Sequence, residues 1–197
     1  MSYNQKDWLN KIRSRTDLSS FVHHMTKGNN ERDDVENLVK ILNDRMLYGS
    51  STKSGYIVGE NTAVCFQDVP VTGLAQNVYD NKKRYSSSGL GFTKEYIYCS
   101  GGRPVIYEDT DYAKTFLPEY EWWRIVNFNL SDEKNYIDWT HEKEWRIKGN
   151  FNFDINEVHV ILHDWKQYEK FVKIVQENDI NILKDIAGII LLEPIIS

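Results

Sequence analysis

Short β-branched and apolar runs recur along this chain without a helical pattern between each pair, and that order limits the fold more than any single residue does. Ala63–Phe66, Leu90–Thr93, Pro104–Glu108, Val158–Leu162 and Gly188–Leu192 each have the length and composition of a strand. Helical patterns fall mainly in the N-terminal half and near the C-terminus. No βαβα alternation runs through the chain, so the pattern predicts an α+β fold of roughly six to eight short strands with flanking helices. With 197 residues the chain can bury one substantial core, and a single domain over 1–197 is expected.

The clearest helix carries Val35, Leu38, Val39, Leu42 and Met46 at core-facing spacing. Asn30 is its expected cap, and Glu31, Asp33 and Asp34 complement the dipole in its first turn. Residues 4–14 form an amphipathic helix with Trp8, Leu9 and Ile12 on one side. Pro70 opens a further helix through Leu74 and Val78. Asp164 caps a C-terminal helix, with Gln167 placed for a capping box and Trp165, Tyr168, Val172 and Val175 as the buried stripe. Residues 48–61 are rich in Gly and Ser and read as a loop, either a lid or a plain connection. The stretch 121–128 fits helix or strand.

Two stretches carry candidate chemistry. Leu18–Thr26 reads as the first strand, with His23 and His24 on opposite faces and Thr26 beside His24. Thr140–Gly149 reads as a strand with Trp145 and Ile147 on one face and Glu144, Arg146 and Lys148 on the other. Glu142 then shares a side with Glu144. Two carboxylates held that close repel each other. The pair suits acid/base or oxocarbenium chemistry at a sugar, whereas an ordinary charged, solvated strand face uses the same residues.

The net charge of -5 argues against a dedicated nucleic-acid scaffold, without excluding an enzyme that touches nucleic acid transiently. Lys82-Lys83-Arg84 is too short a run to change that balance. Cys65 and Cys99 lack metal-ligand spacing and no signal sequence precedes them, so reduced thiols in a cytoplasmic protein are expected, and no metal site. No apolar run approaches the ~20 residues of a membrane span. Gly101-Gly102 is a turn without a GxGxxG continuation. Aromatic residues at 13% either fill the core or line a pocket that stacks flat rings.

Six segments, in order, resemble those of AbiGi-type abortive-infection proteins. They are His24-Met25-Thr26-Lys27, Leu38-Val39-Lys40-Ile41-Leu42, Cys65-Phe66-Gln67-Asp68-Val69-Pro70, Tyr85 through Gly89-Leu90-Gly91-Phe92-Thr93-Lys94-Glu95, Gly102-Arg103-Pro104-Val105-Ile106-Tyr107, and Glu142-Lys143-Glu144-Trp145-Arg146. The same order is similar to the ADP-ribosyltransferase fold, including DarT-type toxins that modify nucleic acid. That resemblance implies a split mixed and antiparallel sheet and NAD as the substrate. It implies that His24 holds a ribose hydroxyl with Thr26 beside it, that Glu144 is the catalytic acid and that Glu142 is its companion. Either Tyr85 or Phe92 would stack on nicotinamide. The implied activity is NAD-dependent ADP-ribosyl transfer, or NAD hydrolysis with water as acceptor, by a toxin-like effector of anti-phage defence. Nucleic acid would be a possible acceptor and a cognate antitoxin a possible partner.

Two other readings stay open. A non-catalytic antitoxin or partner-binding subunit would keep the fold without turnover, and an acidic surface suits a basic partner. A nuclease would need Asp138, Glu142 and Glu144 around a divalent ion.

Overall fold

The computed structural model describes residues 2–54, 56–80, 86–178 and 182–196. In chain order the elements are α1 (Gln5–Arg13), β1 (Phe21–Thr26), α2 (Asp34–Asp44), β2 (Met46–Leu47), β3 (Ala63–Gln67), α3 (Val71–Asp80), β4 (Ser88–Thr93), α4 (Lys94–Cys99), β5 (Arg103–Pro104), β6 (Ile106–Glu108), α5 (Thr110–Phe116), β7 (Ile125–Asn127), β8 (Glu144–Lys148), β9 (Phe151–Asn152), β10 (His159–Leu162), α6 (Trp165–Glu177), β11 (Gly188–Leu191) and α7 (Glu193–Ile196). This is the α+β class that the order of runs predicts. The backbone falls into two compact units. One comprises residues 1–46, 69–96 and 153–197, the other 47–68 and 97–152.

In the first unit the strands lie in the order β11-β10-β4-β1. β10 and β11 are parallel, while β10–β4 and β4–β1 are antiparallel. Phe21, His23 and Met25 share one face with Ile161 and Ile190; Val22, His24 and Thr26 share the other with Leu90 and Phe92. The first face is covered where Leu74, Ala75 and Val78 of α3 meet Ile161, with Met25, Ile190 and Leu192 around them. On the other side α2 buries Val35, Leu38, Val39 and Leu42, and it packs on β1, β4 and α6.

Four local expectations need correction. Asp33, not Asn30, caps α2: its carboxylate accepts from the amides of Val35 and Glu36, and Glu36 returns a bond to the Asp33 amide. Asn29 accepts from the amides of Glu31 and Arg32, which holds Asn30 in a turn ahead of the helix. Met46 leaves α2 because Arg45 turns left-handed, at φ 51°, and stops it. In α6, Phe171 and Val175 enter the core while Trp165 is exposed in the first turn. Asp164 does cap α6 through the Gln167 amide, but the Gln167 side chain serves the His163 amide and Ser87 instead of closing a box.

In the second unit β3, β8 and β5 form an antiparallel set, and β6 and β7 form a parallel pair. Residues 119–124 make a 3-10 turn that runs into β7, so the ambiguous stretch is both helical turn and strand. Residues 48–61 have anchors of their own: Ser50 bridges Ala63, and Ile57 is buried against Ala63 and Trp123. The expected strand from Thr140 is also corrected. Thr140–Glu142 is a 3-10 turn, Lys143 adopts a left-handed φ of 45°, and β8 begins only at Glu144. The Asp138 carboxylate starts the turn by accepting from both the amide and the hydroxyl of Thr140. Glu142 and Glu144 therefore do not alternate along one strand.

Leu42 is fully buried on α2, so Leu42→Ala should lower unfolding free energy by about 2–5 kcal/mol. Removing the cap with Asp33→Ala should cost about 0.5–2 kcal/mol. Denaturant titration of both variants checks the order; a cap variant that costs more than the core variant would contradict it.

Candidate active site

Three of the sequence segments converge on one ion pair in the second unit. β3 brings Cys65 and Gln67 opposite Arg146 and Glu144 of β8, and β5 brings Arg103 opposite Arg146. The Arg146 Nε donates to Glu144 Oε1 at 2.8 Å and Nη2 to Oε2 at 3.2 Å, the planar fork that favours an Arg–carboxylate pair. Arg146 Nη1 donates to the carbonyls of Trp123 (2.8 Å) and Ile125 (3.0 Å), and Nη2 also to that of Tyr56 (3.1 Å). Every guanidinium N–H thus has an acceptor, which is what lets a charged side chain sit at 3% exposure.

The backbone of Glu144 is held as firmly as its carboxylate. Its amide donates to the Tyr107 hydroxyl at 2.7 Å, and its carbonyl accepts from the Val105 amide at 3.0 Å. Burial pushes the Tyr107 phenol up to about 12, with the Glu144 amide working against that and the Glu144 and Glu142 carboxylates adding to it. Burial likewise pushes the Cys65 thiol far up, and the Glu144 charge adds to it, so Cys65 is an inert, protonated neighbour. Trp145, on the opposite face of β8, reaches Asp68 with its indole N–H at 3.3 Å. The Gln67 side-chain oxygen, cross-strand from Glu144, is buried without a hydrogen-bond partner. The Glu144 side chain is 11% exposed. Each of its oxygens keeps lone-pair capacity for a ligand hydroxyl beside the Arg146 bond. Glu142 stands half-buried in the preceding turn.

The other candidates lie in the first unit. His24 is half-buried on the Val22 and Thr26 face of β1. Thr26 is buried, and its hydroxyl accepts from the Asn37 side-chain amide at 2.9 Å; that amide also reaches the Lys27 carbonyl at 2.9 Å. Past the end of β1 lies a cavity of about 370 Å³ whose wall includes Lys27, Asn29, Arg32, Ser86, Ser87 and His163. Its floor is braced by Asp34, which accepts from the Gly28 amide and the Ser86 hydroxyl. Phe92 is fully buried against Phe153 and Tyr96 and is a core ring here. Tyr85 lies outside the described residues.

His23, the neighbour that turns the other way, is the more deeply buried histidine, at 1% exposure. Neither ring nitrogen has a hydrogen-bond partner. Burial lowers its pKa from the ordinary 6.5 to about 4; the Val69 backbone opposes this, and His159 and Lys94 reinforce it. Among the described residues no group of three or more His, Cys, Asp and Glu side chains is placed to hold a metal ion. Among them, too, no helix is long and apolar enough to cross a membrane.

Arg146, Tyr107, Asn37 and Asp34 were not singled out from the sequence. The first two stand inside quoted segments, but nothing in a linear reading shows that a tyrosine hydroxyl reaches a glutamate amide far along the chain. Asp34 was read only as a first-turn acid of the helix, and Asn37 lies within that helix without a reading of its own.

No protein-family model matches the chain, and no curated protein does. Among solved structures the chain is similar to Thermus sp. 2.9 DarT in complex with ADP-ribosylated ssDNA, at 10% identity over 80% of this chain and 88% of that one, with a TM-score of 0.44. At that distance the likeness carries no weight for the chemistry, which has to come from the residues themselves.

Two outcomes follow from these burials. Arg146→Met strands the Glu144 charge and should cost about 3–5 kcal/mol, whereas the double change with Glu144→Gln should recover only the part due to that charge, because the carbonyls of Trp123, Ile125 and Tyr56 still lose their donor. Thermal melts of both variants check this; equal losses would contradict it. His23 binds its proton more readily in the unfolded chain, so its contribution is intact above pH 6.5 and is lost as pH falls towards about 4, to the order of 3 kcal/mol. His23→Leu should flatten stability against pH across that window. A parallel curve for the variant would show that His23 is not the titrating group.

Proposed function

We propose that this chain is an NAD-dependent ADP-ribosyltransferase, a toxin-like effector of anti-phage defence, with nucleic acid (RNA or DNA) as the acceptor class to test first. The observation that carries the reading is the convergence of the Cys65–Asp68, Gly102–Tyr107 and Glu142–Arg146 segments on one rigidly held carboxylate, Glu144. These are segments that resemble one family in sequence.

The reaction breaks the bond between nicotinamide and ribose C1′. The electron pair leaves with nicotinamide, positive charge develops on the sugar, and an acceptor lone pair closes on C1′ while its proton is released. The group to be stabilised is a cation that exists only near the transition state. A fixed carboxylate accepting from the ribose 2′-hydroxyl does this without reorganising. Glu144 is assigned that role and Glu142 that of the companion acid. For His24 and Thr26, in the first unit, the resemblance implies contact with a ribose hydroxyl. The adjacent cavity is assigned to the polar remainder of the dinucleotide: Lys27 and Arg32 supply positive charge beside Asp33 and Asp34, and Asn29, Ser86 and Ser87 supply polar donors. Its volume is in the range of small-molecule sites. The stacking role stays with Tyr85, because the full burial of Phe92 keeps that ring from a ligand.

The engagement of both Glu144 oxygens by Arg146, at low exposure, favours a second reading: a non-catalytic antitoxin or partner-binding subunit. The two readings separate in one experiment. Wild type and Glu144→Gln are incubated with labelled NAD and single-stranded RNA, DNA or cell extract. The enzyme reading expects label transfer, or free ADP-ribose, reduced about 10²–10³-fold in the variant. No turnover together with no NAD binding by calorimetry would support the second reading instead, whereas equal labelling by both would remove Glu144 from the chemistry.

A further inference from the structure

Glu144 is held by two groups that are not themselves placed to react. The Arg146 guanidinium grips its carboxylate at both oxygens, and the Tyr107 hydroxyl accepts from its amide. We propose that Arg146 and Tyr107 are positioning residues for Glu144, fixing the side chain and the backbone respectively, and that Arg146 makes the carboxylate's orientation depend on the segment carrying Tyr56. This rests on the enzyme reading of Glu144.

The geometry separates the two residues from the reaction and ties them to each other. Arg146 points its remaining N–H groups at the carbonyls of Trp123, Ile125 and Tyr56, so all its donors are spent inside the protein and none is left for a substrate phosphate. Its Nη2 is shared between Glu144 Oε2 and the Tyr56 carbonyl. A shift of the Tyr56 segment therefore releases or tightens the same nitrogen that holds the acid. Tyr107 acts at the point where the chain leaves the left-handed Lys143 and enters β8. Without that partner the Glu144 amide loses its acceptor, and the backbone at the first strand residue is held only by the Val105 bond to its carbonyl and the pairing with Gln67. A catalytic group displaced by a fraction of an ångström loses rate while ground-state binding is kept.

Lysine at position 146 keeps the charge but cannot form the fork, and phenylalanine at 107 removes a single oxygen. The experiment measures kcat and KM for NAD, with thermal melts, for wild type, Tyr107→Phe, Arg146→Lys and Arg146→Ala with and without added ethylguanidinium. The expected result is a kcat lowered about tenfold in Tyr107→Phe and about a hundredfold in Arg146→Lys, with KM within about twofold, and partial recovery of kcat in Arg146→Ala on adding ethylguanidinium. Tyr107→Phe removes one hydrogen bond and is the variant expected to stay folded, so it decides the matter if the Arg146 variants do not fold. Unchanged kcat in folded Tyr107→Phe, or a loss in every variant that tracks melting temperature alone, overturns the proposal while wild-type turnover leaves the enzyme reading standing. Absence of turnover in the wild type overturns both.

Discussion

The second unit depends on one guanidinium. Arg146 sits at the centre of a three-strand set with almost no exposure, and a cation there is tolerable only because each N–H ends on an oxygen. Those oxygens come from three places: Glu144 on its own strand, the Tyr56 segment, and the 3-10 turn where it enters β7. The same bonds that neutralise the charge therefore join pieces of chain that also meet through the buried contact of Ile57 with Trp123. Burying an ion pair in this way is seldom the most stable choice. Its retention is accounted for if the carboxylate has a use that a well-packed apolar pair could not serve.

The first unit is organised differently. Its strands meet α2 and α3 through apolar stripes, and polar side chains are used at the ends of elements. Asp33 caps α2, Asp34 ties the Gly28 turn to Ser86, and Asn37 ties α2 to the last residue of β1. The cavity wall is made of these end-of-element groups. His23 shows the opposite case, a buried imidazole that the fold keeps neutral and uses as packing.

Much of this was legible in the sequence, for identifiable reasons. The α2 stripe from Val35 to Leu42 follows from periodicity, and the strand runs at 63–66, 90–93, 158–162 and 188–192 follow from composition. Glu144 stands out because it lies in a dense charged and aromatic cluster. The pairing of Glu142 with Glu144 on one face did not survive, because Asp138 turns the chain at Thr140 and Lys143 breaks the extended run; side chain to backbone bonds of that kind outvote alternation. Met46 and Trp165 were misplaced for a related reason, since periodicity does not say where a helix ends or which first-turn residue faces water. The partners of Glu144 were illegible altogether. Cys65, Gln67, Val105, Tyr107 and the Trp123 carbonyl come together only through strand register.

The claim at the centre is that Glu144 is a preorganised acid for a ribose and that its bond to Arg146 is part of the working state. A crystal structure with a non-hydrolysable NAD analogue tests it most directly. The expected result is a ribose 2′-hydroxyl about 3 Å from a Glu144 oxygen with the Arg146 fork still closed. An analogue bound with its ribose away from Glu144, or a Glu144 that must leave Arg146 to reach the sugar, would contradict the account.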